Sequence, residues 1–153
     1  MRLLLLNGPN LNLLGSREPN IYGRTTYESL ISDLQTHAEK SGTKLDCFQS
    51  NHEGQLIDYI QSAADVFDGI ILNPGALTHY SYALRDAIQS IKLPVLEVHI
   101  SNIHTRESFR QISVTAPACI GQISGLGIQG YFLAVDYFIY RLSQEGTTVE
   151  GLN

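Results

Sequence analysis

Cysteine is scarce in this chain: Cys47 and Cys119 are the only two in 153 residues. They lie far apart, which fits neither a disulfide framework nor a CxxC metal or redox motif. Both are expected in strand-like runs, as reduced core residues of a cytoplasmic protein. Positive charge is thin as well. Ten Lys and Arg against fifteen Asp and Glu give a net charge of −5 with no basic cluster, which argues against nucleic acid and anionic membranes as partners. No apolar run approaches the ~20 residues of a membrane span. The opening MRLLLLNGPN has too short an apolar stretch and no small-residue cleavage site, so no signal peptide is expected. Tryptophan is absent. No GxxxxGK followed by Ser or Thr and no GxSxG occurs, which removes the P-loop and α/β-hydrolase readings. No internal repeat or low-complexity tract occurs either. What remains is 43% hydrophobic and 16% charged, an ordinary composition for one globular domain, 1–153, with a sizeable core.

The apolar pattern alternates between strand and helix. A strand over 3–6 is followed by a helix whose face is Leu30, Ile31, Leu34 and Ala38, opened by a capping-box pattern at Thr25 to Glu28. A second strand over 44–49 leads through Ser50-Asn51-His52-Glu53, the same capping pattern, into a helix with Leu56, Ile57, Ile60 and Ala64. A third strand over 68–72 is apolar on both faces, as a central parallel strand should be. Thr78 is the expected N-cap of a third helix buried through Ala83, Leu84, Ala87 and Ile88. A fourth strand over 94–98, one or two helical turns over 105–111, a fifth strand over 118–124 and a last helix over 129–143 complete the pattern. The tail, 144–153, is polar and expected to fray. Such alternation indicates βαβ units and a parallel sheet covered on both faces, with a flavodoxin-like, doubly wound, five-stranded α/β domain as the expected form. The last helix is too apolar for a lone surface helix, so sheet and partner subunits together are expected to bury it.

One stretch breaks the pattern. Residues 7–23, NGPNLNLLGSREPNIYG, have no helical period and three glycines. Connections of this length in a compact domain tend to be functional lids or disordered segments. Leu11, Leu13 and Leu14 argue that it packs down. It also carries Arg17 and Tyr22. A phenol titrates near ~10 and a nearby cation favours its anion, so Tyr22 becomes a base near neutral pH if Arg17 or another cation sits beside it. The alternative is a packing ring and a solvated guanidinium, and the segment taken alone favours that plainer reading.

In open α/β sheets, ligands bind outside the carboxyl ends of the strands. That rule brings Asn7, Asn10, Arg17 and Tyr22 from the first strand to one rim. The third strand adds Asn73 and His79, and the fourth adds Glu97, His99, Ser101, Arg106 and Arg110. Glu97 and His99, two apart on a strand, point to one face. A carboxylate beside an imidazole fixes its tautomer and favours its protonated form, which suits a general acid; a solvated strand-end ion pair is the plainer alternative. His79, at an expected helix start, reads as a neutral hydrogen-bonding group. His37 and His104 read as surface residues. His79, Glu97 and His99 also form a possible zinc set, without an HExxH spacing to support it. A small-molecule binding module using the same rim without catalysis is a further alternative. Residues 125–130, GLGIQG, match GxGxxG formally, but only 23 residues follow them. These leave no strand to carry a ribose-binding acid, so the glycines are expected to serve a tight turn and close helix–sheet packing.

Taken together, NGPNLNLLGSREPNIYG at 7–23, NHEGQLID at 51–58, ILNPGALTHYSYALRDAI at 71–88, EVHISNIHTRESFR at 97–110 and ISGLGIQGY at 123–131 closely resemble the type II 3-dehydroquinate dehydratases. The resemblance covers nearly the whole chain. It implies a cofactor-free, metal-free anti elimination of water from 3-dehydroquinate, giving 3-dehydroshikimate through an enolate, in the shikimate or quinate pathway. By motif position it implies Tyr22 as the base in its phenolate form, and Arg17 as the cation that lowers its pKa. Asn10 would hold a water against the enolate oxygen, and His99 would be the general acid, oriented by Glu97. Substrate binding would fall to Asn73, His79, Ile100, Ser101 and Arg110. Asp86 would reach the site of a neighbouring subunit, in trimers that assemble into dodecamers.

Overall fold

The computed structural model describes residues 1–16, 20 and 24–147, with side chains up to residue 144. Arg17 and Tyr22, and the tail beyond residue 147, lie outside the described residues. Five strands, β1 (Arg2–Asn7), β2 (Lys44–Gln49), β3 (Gly69–Asn73), β4 (Val95–His99) and β5 (Gly121–Ser124), form one all-parallel sheet in the order β2-β1-β3-β4-β5. This is the doubly wound order of flavodoxin-like domains, as expected, and it puts the switch point between β1 and β3. Four helices cover the sheet: α1 (Tyr27–Glu39), α2 (Glu53–Ser62), α3 (Tyr82–Gln89) and α4 (Gln129–Thr147).

Strand alternation divides the core into two layers. Leu3 and Leu5 of β1 point to α1 and α4, joining Leu30, Leu34, Tyr131, Ala134, Val135 and Phe138. Leu4 and Leu6 point the other way, to Leu56 and Ile60 of α2 and Leu84 and Ile88 of α3. Among the described residues no helix is long and apolar enough to cross a membrane.

Several local expectations are corrected. Thr26, not Thr25, caps α1, accepting the Ser29 N–H at 3.2 Å. The capping box before α2 does not form: His52 is the N-cap position and makes no side-chain cap bond. Ser50 Oγ instead accepts the His52 N–H at 2.9 Å, a local turn that competes with a cap. Ser81 rather than Thr78 caps α3, accepting the Leu84 N–H at 3.0 Å and donating to Glu53 on α2 at 3.0 Å. The chain cannot enter α3 at Thr78, because residues Gly75–His79 first make a 3-10 turn. Ala83 therefore faces outward rather than into the core. β5 starts at Gly121, since Pro117 draws Ala116–Ala118 into another 3-10 turn. Cys119 consequently lies outside any strand, whereas Cys47 sits in β2; both are free and half-buried, and burial pushes the Cys47 thiol up to about 12. In the loop after β1, Leu14 is buried but Leu13 is exposed.

The formal GxGxxG motif does what close packing requires. Gly125 has φ +87°, and a Cβ there would stand 2.8 Å from Asn102 Cβ. Gly130 lies where a Cβ would press on Ile123 and Val98. The turn thus lets α4 settle directly on the sheet. The outer side of α4, with Leu133, Tyr137 and Tyr140, remains exposed in the single chain.

Candidate active site

The carboxyl ends of β1, β3 and β4 open into one cleft of about 720 Å³, counting the part open to solvent. Its wall carries Asn10 and Asn73, then His79 and His99, then Ser101, Arg106 and Arg110, with Ile100 and Leu13 among its apolar contacts. Seven residues expected to bind or act on substrate are therefore brought together: Asn10, Asn73, His79, His99, Ile100, Ser101 and Arg110. Glu97 lies directly behind His99. Asp86, exposed on α3, does not line this cleft.

The His99–Glu97 pair is built at the end of β4. His99 Nε2 stands 2.7 Å from Glu97 Oε1, and both groups are buried. A carboxylate can only accept, so Nε2 carries the proton and Nδ1 is left for the cleft. Glu97 is fully buried, which alone would raise its pKa. The His99 hydrogen bond and charge, with hydrogen bonds from Thr115 and Gln122, overcome that and hold the carboxyl below the ordinary carboxylate range. Thr78 and Ser113 hydroxyls also reach Oε1, at 3.0 and 2.9 Å, and Thr115 serves Oε2. These four supports were not recognised in the sequence. Gln122 had the clearest signal, a polar residue in the short fifth strand; the hydroxyls on Ser113 and Thr115 had none, because they reach Glu97 through loop geometry.

His79 is held differently. Its Nδ1–H donates to the Ile112 carbonyl at 2.8 Å, so the neutral ring presents a bare Nε2. Burial lowers its pKa, the carbonyl bond works against that, and the charges of His99, Arg110 and Arg106 add to the lowering. The neutral state was expected from a helix dipole. The cause is corrected here: His79 closes a 3-10 turn and does not begin a helix.

Asn10 takes a left-handed conformation, φ 69°, the one positive φ on a non-glycine among the described residues. Asparagine tolerates this region, and the Asn51 side-chain oxygen, Oδ1, pins it by accepting the Asn10 N–H at 2.9 Å. Gln49 braces Asn51 in turn, donating to the same oxygen at 2.9 Å and to the Gly8 carbonyl at 3.1 Å. Arg106 Nη1 donates to Ser101 Oγ at 3.5 Å, and Arg110 pairs with Glu107 at 3.0 Å. Two guanidinium groups at one wall suit a small anion, local to a protein of net charge −5.

Among the described residues lining the cleft there is no lysine. The alternative zinc set of His79, Glu97 and His99 is not assembled: no three such groups converge among the described residues, and Glu97's oxygens are taken up by donors.

Comparison with known proteins places the chain in a family. The family model described as dehydroquinase class II matches residues 1–139. A 3-dehydroquinate dehydratase of Bacillus mycoides (strain KBAB4) is 60% identical over 143 residues, 94% of this chain and 98% of that one. The solved type II dehydroquinase from Butyrivibrio crossotus DSM 2876 has a TM-score of 0.89 at 52% identity, covering 90% of this chain and 97% of its own. That from Propionibacterium acnes has a TM-score of 0.88 at 41% identity, covering 91% and 96%. Sheet order, cleft and nearly full-length likeness converge, and the chain belongs to the class II dehydroquinases.

Proposed function

We propose that this protein is a 3-dehydroquinate dehydratase, a hydro-lyase that eliminates water from 3-dehydroquinate to give 3-dehydroshikimate. The observation that carries the reading is the His99–Glu97 pair: an imidazole turned to an anion-suited cleft and held by a buried carboxylate, in a chain of this family.

The elimination needs a base, an oxyanion stabiliser and an acid. Tyr22, as phenolate beside Arg17, takes the proton alpha to the ketone, and the C–H electrons pass into the enolate. Asn10 holds a water against the enolate oxygen. The ketone then re-forms, the carbon–oxygen bond to the leaving hydroxyl breaks, and the His99 imidazolium gives its Nδ1 proton to that hydroxyl, releasing water and leaving the neutral ring with its Nε2–H on Glu97. Glu97 orients the ring and balances the imidazolium charge. Asn73 and His79 bind substrate hydroxyls, and the backbone around Ile100 and Ser101, with Arg110, receives the substrate carboxylate. No cofactor or metal is called for. Asp86, on the exposed face of α3, reaches the cleft of a neighbouring subunit in a trimer, four of which make a dodecamer; the exposed apolar side of α4 is a surface such assembly can cover. The expected setting is the cytoplasm, in the shikimate or quinate pathway.

The test is direct. EDTA-treated protein is incubated with 3-dehydroquinate, and the conjugated-enone absorbance of the product is followed. Turnover insensitive to EDTA and to borohydride supports the enolate route. A folded protein without turnover overturns the assignment; loss of activity in EDTA or borohydride overturns the cofactor-free mechanism.

A further inference from the structure

The ISGLGIQGY motif ends in a residue that the reaction above does not use. Tyr131, in the first turn of α4, is fully buried, and its hydroxyl sits between two buried asparagines at adjacent strand ends. Asn7 and Asn73 are direct partners in the β1–β3 register, at the switch point of the sheet. Tyr131 OH is 2.7 Å from Asn7 Oδ1 and 2.7 Å from Asn73 Nδ2.

The direction of this chain is fixed from one end. Asn73 Oδ1 accepts the Gly75 N–H at 3.1 Å, a backbone donor that cannot be reversed. The amide nitrogen of Asn73 must therefore face Tyr131. A phenol has one proton; having accepted from Asn73, it donates to Asn7. Burial pushes the phenol's pKa up, against the Asn73 hydrogen bond, so that proton stays in place. The amide is thus held at both ends. Its second N–H and its second oxygen lone pair are what Asn73 has left for the cleft it lines.

We infer that Tyr131 is a positioning residue for substrate binding: its hydroxyl locks the Asn73 amide in the one orientation that presents a fixed donor and acceptor to a substrate hydroxyl. The inference rests on Asn73 binding substrate, as proposed above. It also gives the last helix a part in the site that its place after every catalytic loop conceals. Without the hydroxyl, the amide is held only by Gly75 N–H, and part of the binding energy is spent on ordering it.

A double-mutant cycle tests this on the full chain. Tyr131→Phe keeps the ring and removes one oxygen; it should raise KM about tenfold with little change in kcat, the size of one lost net hydrogen bond. Asn73→Ala should raise KM at least as much. In the Asn73→Ala background, Tyr131→Phe should then add nothing to KM. Asn7→Ala, which breaks the chain from its far end and spares the Tyr131 ring, should behave in the same way, and serves if Tyr131→Phe does not fold. Equal KM effects in both backgrounds, or no KM effect of either variant in the wild type, would overturn the positioning role. If Asn73→Ala alone leaves KM unchanged, the substrate contact of Asn73 fails instead, a separate and distinguishable result.

Discussion

Gln122 stands opposite Glu97 in the β4–β5 ladder and donates its amide to Glu97 Oε1 at 2.8 Å. The fifth strand, none of whose residues lines the cleft, therefore holds the carboxylate that holds His99. Gln122→Leu keeps the shape and removes the donor. Its expected cost is ~1–3 kcal/mol in stability, with kcat lowered about tenfold as the His99 ring loses its fixed support. Urea denaturation and steady-state rates measure the two, and an unchanged kcat would remove Gln122 from this role.

The residues around 112–115 tie the two cleft histidines together. Ile112 O holds His79, Val114 N–H donates to the Thr78 carbonyl at 2.7 Å, and Thr115 holds Glu97. Thr115→Val removes the hydroxyl that serves Oε2, and should lose ~1–3 kcal/mol and slow turnover. Thr115→Ser keeps the hydroxyl and should retain most of both. If Val and Ser variants are alike in kcat and in thermal midpoint, the hydroxyl is not what matters.

The acid sensitivity of the fold has a definite sign. Glu97 is held below its ordinary pKa in the folded chain, by His99, Thr115 and Gln122 against the cost of burial. Its stabilising contribution is thus complete above the unfolded value, near ~4.3, and is lost as pH falls through the lower folded value. The urea midpoint should drop below pH ~4.3, and Glu97→Gln, already destabilised at pH 7, should show a flatter decline there. Parallel pH curves for the two proteins would mean that Glu97 does not contribute.

Gly69, at the start of β3, is set by α4. A Cβ at this position would clash with the Phe138 ring, which is fully buried. Gly69→Ala should cost ~1–3 kcal/mol through overpacking and leave kcat near wild type at temperatures where the variant is folded. An unchanged thermal midpoint would show that the ring moves aside freely.

Tyr22→Phe removes the proposed base and should abolish nearly all turnover while substrate binding persists. Arg17→Ala should lower kcat and raise the pKa that controls activity, since a cation beside a phenol favours its anion. Substantial activity in the first variant, or an unaltered pH profile in the second, would reassign the base.

The sheet was legible in the sequence because strand and helix periods alternate cleanly, and the rule placing ligands at strand ends found the rim from single residues such as His99 and Arg110. What escaped was set by loops. Thr78 has the composition of an N-cap, yet the 3-10 turn at Gly75 carries it past that role and into the Glu97 cluster. Pro117 cut the fifth strand short in a way its apolar neighbours hide. Tyr131 looked like one more core aromatic on an apolar helix, and only the facing of two asparagines from distant strands gives its hydroxyl a task.

The first strand has a property that its composition conceals. Leu3 to Leu6 supply both core layers with the same side chain, so sliding β1 by one position would exchange one leucine for another on each face. The apolar stretch is degenerate and carries no address. The address is written at its ends: Arg2 donates its N–H to Asp68 at 2.7 Å and its guanidinium to Asp46 at 2.6 Å, while Asn7 accepts from Tyr131. A vernier of two polar marks, four leucines apart, sets where β1 stops, and hence where the loop bearing Asn10 begins.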